Sequence, residues 1–282
     1  MLVVRGLNKT YAERSALCDI DLNISTEDGI TALLGANGSG KSTLLRVLAT
    51  ATPPDSGWLS FDGLRYAADL RPLRQQLGYL PQTLELPGTL TPLKVLQYLA
   101  RLKGIYQHDP VIALLETFGL SALANTPISR LSDGQVRMVG IAQAFIGQPR
   151  LILLDECLRG LDVYERERVI RMMRAAAGQA IILFSSHIPA EVEQVAQRAV
   201  VLKAGAVLFA GEISTFIEQA TEHVYEVRSG VEDIPYWLAR YIVSHVQQNA
   251  KDTVLRVISA TAISDGVAVC PSLEDAYLWL CS

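Results

Sequence analysis

The run Gly35-Ala36-Asn37-Gly38-Ser39-Gly40-Lys41-Ser42-Thr43 has the spacing G-x-x-x-x-G-K-[ST], that of a loop built to hold phosphates. Glycines at 35, 38 and 40, with Asn37 and Ser39 between them, let backbone N–H groups approach phosphate oxygens. A helix that opens directly after the loop adds a dipole favourable to anions. Lys41 would set a positive charge beside the β- and γ-phosphates, and the Ser42 hydroxyl would ligate Mg²⁺, with Thr43 closing the loop. Ile30-Thr31-Ala32-Leu33-Leu34 before it reads as a buried strand, and Leu44 to Ala49 after it as an amphipathic helix start. A chance glycine-rich turn rarely has both flanks, so the stretch reads as a nucleotide site.

A second group of residues suits the same chemistry. Asp155-Glu156 closes the apolar run Leu151-Ile152-Leu153-Leu154, at the strand end where open α/β sheets bind ligands. Asp155 could hold Mg²⁺ through water, and Glu156 could polarise the water that attacks a γ-phosphate, since phosphoryl transfer needs positioning and charge neutralisation above all. Alone, such a pair is usually a solvated strand end; beside a phosphate loop the functional reading wins. Ser185-Ser186-His187 follows the apolar strand Ala180 to Phe184, so His187 should emerge on the same sheet edge and contact the γ-phosphate. Leu131-Ser132-Asp133-Gly134-Gln135 precedes the apolar helix Val136 to Phe145; by itself this is an ordinary helix cap that could also bind an anion.

The elements that must position these groups follow from apolar periodicity. Leu2 to Val4 and Ile20 to Ile24 suggest a small β-region ahead of the loop, and Pro53 to Gly57 breaks the helix behind it. Thr91 to Gly147 is mostly helical in pattern, with Leu93, Leu96, Leu99 and then Ile112, Leu115, Phe118 at near 3–4 spacing. The runs at 151–154 and 180–184 look like fully buried parallel strands, which with intervening helices predicts an α/β core. Past Glu212 the texture changes: strands are expected at Val224–Val227, Ile242–Val246 and Val254–Ile258, then a helix from Ser272 to Leu280. This reads as a small α+β appendage.

Composition sets outer bounds. A chain of 282 residues is long enough for roughly one large domain or two smaller ones. Half of its residues are hydrophobic, 19% are charged and the mean hydropathy is +0.24, yet no apolar run reaches the ~18 residues of a membrane span. Met1 to Leu7 lacks the pattern of a signal peptide. Cys18, Cys157, Cys270 and Cys281 form no C-x-x-C pair or metal spacing, so reduced thiols in a cytosolic protein are expected. A net charge of −4 makes no global electrostatic case for nucleic acid.

Taken in order, Tyr11, the loop at 35–43, Gln82, Leu131 to Gln135, Leu151 to Glu156, Gly160-Leu161-Asp162 and His187 resemble the nucleotide-binding subunit of an ATP-binding cassette (ABC) transporter. The resemblance covers about Leu2 to Gly211. It implies a P-loop NTPase (RecA-like) core with an N-terminal antiparallel β-region and an inserted helical subdomain at about 88–147, within an ATP-binding domain of residues 1–212. Residues 213–282 would form the α+β accessory domain. No Asn-Lys-x-Asp guanine motif follows the loop, which favours ATP over GTP.

By the same resemblance, Tyr11 would stack on adenine, and Gln82 would join Ser42 and Asp155 around Mg²⁺. Lys41, Gln82, Glu156 and His187 would form the catalytic set. Ser132, Gly134 and Gln135 would reach the γ-phosphate of ATP held by an opposite subunit, and Asp162 would lie across the seam, although an aspartate there could equally cap the helix that follows. The implied partners are ATP, a second ABC subunit (identical or different) and an integral membrane permease, with no nucleic acid. The implied location is the cytoplasmic face of the inner (plasma) membrane. Asp133, Cys157-Leu158 and Val163 depart from the family pattern at its first signature glycine, at the proline-threonine after the glutamate and at the proline after the aspartate; slow ATPase activity is expected. Pro271 to Leu278 resembles the tail of subunits that serve ABC-2-type exporters, though a Ser-Leu-Glu-Asp helix start also arises as a simple cap. A soluble ABC-type ATPase acting on nucleic acid or ribosomes, and a non-enzymatic ATP-gated regulator, are the competing readings. A single cassette without a heptad run favours the transporter subunit.

Overall fold

The structure, a computed structural model, describes residues 1–66, 69–248 and 253–282. It divides into two units, residues 1–187 with 195–210, and residues 188–194 with 211–282.

The first unit opens with β1 (Leu2–Tyr11) and β2 (Arg14–Ile24), an antiparallel pair. In β2, buried Ile20, Leu22 and Ile24 alternate with exposed Asp21 and Asn23, as in a sheet wetted on one face. Both strands outrun the apolar segments that announce them. The polar end of β1, Asn8 to Tyr11, is held by ladder bonds to β2, which need no apolar side chain. Then come β3 (Ile30–Leu34), α1 (Lys41–Leu48), β4 (Ser56–Phe61), β5 (Leu64–Arg65), α2 (Arg71–Gln75) and β6 (Leu77–Leu80). Among the described residues the first sheet has the order β2-β1-β4-β5.

The helical stretch resolves into α3 (Pro92–Leu102), α4 (Asp109–Thr117) and α5 (Asp133–Ala144), with short 3₁₀ turns between the last two. α3 starts where Thr91 Oγ1 accepts from Lys94 N and Pro92 occupies the first turn. Its buried stripe is Val95, Leu96 and Ala100, with Leu93 and Leu99 only half-buried. In α4, Val111 and Leu115 face inward with Phe118 behind them, whereas Ile112 is 40% exposed. Ile112 shares the spacing of Leu115 and Phe118 but not their burial: spacing marks a helix and does not set which flank of it meets the neighbouring helix.

After α5 come β7 (Leu151–Leu154), α6 (Val163–Ala176), β8 (Ile181–Ser186), β9 (Arg198–Lys203) and β10 (Ala206–Glu212). The main sheet runs β10-β9-β3-β8-β7-β6 among the described residues. Every residue of β3, β7 and β8 is buried, which is why these strands read as unbroken apolar runs. β6, β7, β8, β3 and β9 pair in parallel, and the register Leu80↔Leu154, Leu154↔Phe184 and Leu34↔Ser186 brings their C-terminal ends to one edge. One core cluster joins Val4, Leu59 and Phe61 of the first sheet, Leu44, Leu45 and Leu48 of α1, and Leu33, Leu153 and Leu183 of the main sheet. Each fully buried leucine contributes roughly 1.5–3 kcal/mol. Packing of this kind, more than the propensity of an eight-residue helix, holds α1 in place.

The second unit contains α7 (Pro189–Val195) except its last residue, α8 (Ile213–Glu218), β11 (Val224–Ser229), α9 (Ile234–Arg240), β12 (Ile242–Gln248), β13 (Thr253–Ile258), β14 (Gly266–Ala268) and α10 (Leu273–Cys281). Its antiparallel sheet has the order β12-β13-β11-β14 among the described residues. Val227, Leu255 and Val257 form a small core against which Ile234 and Trp237 of α9 pack. The three anticipated strands and the terminal helix are present. α9 and β14 were not anticipated: one is too short for a period to show, and the other carries three residues without alternation.

Candidate nucleotide site

The chain leaves β3 at Gly35, where a Cβ would lie 2.3 Å from the Leu202 carbonyl oxygen. Gly40 sits at φ +110°, and a Cβ there would lie 2.6 Å from the Ala16 carbonyl oxygen, so a side chain would be both strained and obstructed. The loop is therefore pressed between β9 and β2. Its backbone is tied in by Gly205 N–H donating to the Ser39 carbonyl at 3.0 Å.

α1 begins at Lys41, whose ammonium turns back into the loop and donates to the carbonyls of Gly35 (2.6 Å) and Ala36 (3.0 Å). Burial lowers the Lys41 pKa below the usual lysine range, against the opposing pull of Glu156 and Asp155. A cavity of about 320 Å³ opens above, lined by the loop residues Asn37, Gly38 and Gly40 through Thr43, and by Tyr11, Arg14, Gln82, Glu156 and Arg159. Tyr11, the last residue of β1, is 42% exposed, and Lys9 Nζ lies over its ring at 5.6 Å. Arg159 pairs with Glu156, which leaves the charges of Lys41 and Arg14, with the helix start, to suit the cavity to a polyphosphate.

Asp155 and Glu156 follow β7 and are both buried. Asp155 Oδ1 accepts from Ser185 Oγ at 2.6 Å, and Ser185 Oγ in turn accepts from Glu156 N–H at 2.8 Å. Asp155 Oδ2 is buried and has no hydrogen-bond partner among the described residues. Glu156 adopts φ +49°, uncommon for a residue with a Cβ. Two contacts fix it there: Ser185 on its N–H, and the Arg137 guanidinium, which donates to its carbonyl.

The Glu156 carboxylate is surrounded. Oε2 accepts from Arg159 at 2.9 Å and from Gln82 at 3.4 Å, while His187 Nδ1 stands 3.5 Å from Oε1. Burial pushes this carboxyl up, but the hydrogen bond and charge of Arg159, then His187 and Gln82, outweigh it and hold it below the usual range. It is ionised at neutral pH.

The remaining predicted residues form a separate cluster. Ser132 caps α5 in a reciprocal box with Gln135 (3.3 and 3.0 Å), and Asp162 caps α6 in another with Glu165 (2.8 and 3.2 Å). The two helix starts meet at Gly134, where a Cβ would lie 3.1 Å from the Glu165 carboxylate. None of Ser132, Gly134, Gln135 or Asp162 lines the cavity.

Of the residues expected, Tyr11, Asn37, Gly38, Gly40, Lys41, Ser42, Thr43, Gln82 and Glu156 meet around the cavity. Gly35 and Ser39 shape the loop, and Asp155 and His187 attach through Ser185 and Glu156. Cys157 and Leu158 are 0% and 2% exposed, apolar anchors behind the acids, whereas Val163 is 80% exposed. Sequence reasoning missed Arg14, Arg137, Arg159 and Ser185. Arg159 stands three residues after Glu156 and Ser185 ends the strand beside the acids, so both could have been found; Arg137 has no local signal.

A parallel sheet with a glycine loop, a helix start and paired acids at one edge defines a P-loop nucleotide-binding protein. The family model described as "ABC transporter" matches residues 17–159. An uncharacterized ABC transporter ATP-binding protein of Bacillus subtilis (strain 168), YxlF, is 30% identical over 99% of this chain and 98% of its own length. The Nod factor export ATP-binding protein I of Mesorhizobium japonicum is 32% identical over 76% of this chain and 64% of its own. A solved ATP-binding subunit of an ABC transporter superposes with a TM-score of 0.72 at 28% identity, covering 78% of this chain and 92% of that one. The ATP-binding cassette MJ0796, in a dimeric post-hydrolysis state bound to ADP and Pi, superposes with a TM-score of 0.68 at 25% identity, covering 75% and 98%. The chain belongs to the ABC transporter family, as an ATP-binding subunit with ATPase activity.

Proposed function

We propose that this cassette closes on a second cassette subunit around ATP and Mg²⁺, and that hydrolysis drives a separately encoded integral membrane permease in the direction of export. One observation carries the reading: none of Ser132, Gly134 and Asp162 lines the cavity of its own unit, which supports a site that a single chain does not complete. The dimeric state of MJ0796 supports the pairing, and the similarity to a Nod factor export protein supports the direction. No helix among the described residues is long and apolar enough to cross a membrane, in keeping with a subunit that sits at the cytoplasmic face through its permease. Residues 1–212 would be the ATP-binding domain, with its helical part at about 88–147, and 213–282 the accessory domain. No nucleic-acid partner is proposed.

Within the cavity, Tyr11 would stack on adenine, and the loop N–H groups with Lys41 would hold the phosphates. The Ser42 hydroxyl, a Gln82 amide oxygen and Asp155, whose buried Oδ2 lacks a partner among the described residues, are hard oxygen donors that suit Mg²⁺. No cluster of three or more His, Cys, Asp or Glu side chains among the described residues could hold a metal ion. When bound, the ion neutralises phosphate charge. Glu156 would accept a proton from water as its oxygen attacks the γ-phosphorus and the bond to the ADP oxygen breaks, leaving ADP and inorganic phosphate. His187 would sense the γ-phosphate beside it. Ser132, Gly134 and Gln135 would meet the partner's ATP, and Asp162 would border the seam. In the Glu156→Gln chain, turnover should fall by roughly a hundredfold or more, while ATP-dependent dimers persist in gel filtration with light scattering. Unchanged turnover would refute the assignment.

A further inference from the structure

Arg159 occupies an unusual position for a surface arginine. Its side chain is 67% exposed, yet its guanidinium lines the nucleotide cavity and lies 2.9 Å from Oε2 of Glu156. The same oxygen takes the Gln82 amide at 3.4 Å, and Oε1 faces His187 at 3.5 Å. A carboxylate oxygen that accepts from a guanidinium is a weaker and less accessible acceptor for a water proton. We infer that Arg159 is a restraint on Glu156, holding its carboxylate away from water until the chain segment that carries Arg159 shifts.

The surroundings allow that shift at one side only. Cys157 and Leu158, immediately before Arg159, are buried anchors. Gly160, immediately after it, has φ +73° with nothing within 4 Å of a Cβ position. Arg159 therefore sits between two buried residues and a left-handed glycine whose outer side is open. Beyond Gly160 the chain reaches Asp162 and then Val163 and Tyr164, which are 80% and 84% exposed. A subunit closing on this helix start would move Gly160 to Asp162 and draw Arg159 off the carboxylate, which ties relief of the restraint to assembly. Acting through Glu156 and not on substrate, Arg159 is a positioning residue; the inference rests on the proposed role of Glu156.

The test is steady-state ATP hydrolysis by the full chain with Mg²⁺. Arg159→Ala should raise kcat roughly two- to fivefold, the range open to a partly exposed ion pair, with KM for ATP unchanged. Arg159→Lys should return kcat to near the parent value, which a merely structural role would not produce. In a Glu156→Gln background, Arg159→Ala should give no gain. A lower or unchanged kcat in Arg159→Ala, or a gain that survives without Glu156, would overturn the inference. Failure of the Glu156 reading itself would show separately, as full turnover in Glu156→Gln alone, and would remove the restraint with it.

Discussion

Lys41 combines two demands that pull against each other. The residue is 5% exposed, a costly place for a charge, yet two loop carbonyls and two nearby carboxylates make that place tolerable. A cation kept at the helix start by backbone oxygens can transfer its hydrogen bonds to phosphate oxygens without leaving the loop. Lys41→Ala should therefore weaken ATP binding by roughly ten- to a hundredfold, the loss expected for hydrogen bonds to a charged group. Titration with a fluorescent nucleotide would measure it, and the variant should show little of the rise in melting temperature that ATP gives the parent. This residue was legible because its neighbours in space are its neighbours in sequence. Arg137, which grips the carbonyl of the left-handed Glu156 from nineteen positions away, was not.

Among the described residues three α-helix starts use the same reciprocal cap: Ser132 with Gln135, Asp162 with Glu165, and Ser272 with Asp275. The last does more than cap. Asp275 is 0% exposed and accepts from Ser244 Oγ (2.6 Å), Arg256 Nε (2.8 Å), and Ser272 N and Oγ (both 2.8 Å), binding α10 to β12 and β13. Asp275→Ala would remove the reciprocal half of the cap and leave Arg256 without this partner, so it should destabilise the second unit by about 3 kcal/mol, read from urea midpoints by circular dichroism. Burial pushes the Asp275 carboxyl up, but hydrogen bonds from Ser244, Ser272 and Arg256 outweigh it and hold the folded pKa below 3.8. The folded state thus binds this proton less readily than the unfolded one. The stabilisation is complete above pH 3.8 and is lost as pH falls through the lower folded value. The gap between parent and Asp275→Ala should narrow over that acidic window. Ser272 was readable as a helix start; its aspartate's bonds to two strands were not, since they depend on how the sheet folds back.

The separate cavity and cap cluster lead to a prediction about assembly. A Lys41→Ala chain lacks a working loop and a Ser132→Arg chain a working cap, so each alone should hydrolyse ATP poorly. In an equimolar mixture, roughly half the dimers would be mixed, each with one intact site, and activity should recover to roughly a quarter of the parent value. ATPase assays on premixed chains would measure it, and failure to recover would argue that each chain's site is self-contained.

Local demands on the backbone determined what could be read directly. The phosphate loop needs glycine where a Cβ would strike Leu202 or Ala16, a lysine at a helix start and a hydroxyl after it, and these lie in consecutive residues. The buried strands β3, β7 and β8 announce themselves because burial on both faces excludes polar residues. Tertiary packing alone decided that β3 lies between β8 and β9, and β7 between β8 and β6, so that Lys41, Gln82, Glu156 and His187 share one edge. It also decided that Ile112 faces outward, that Ser185 bridges the two acids and that Arg159 closes on Glu156. Strand order and side-chain grip are settled by which surfaces bury one another across long separations, and no spacing along the chain encodes that.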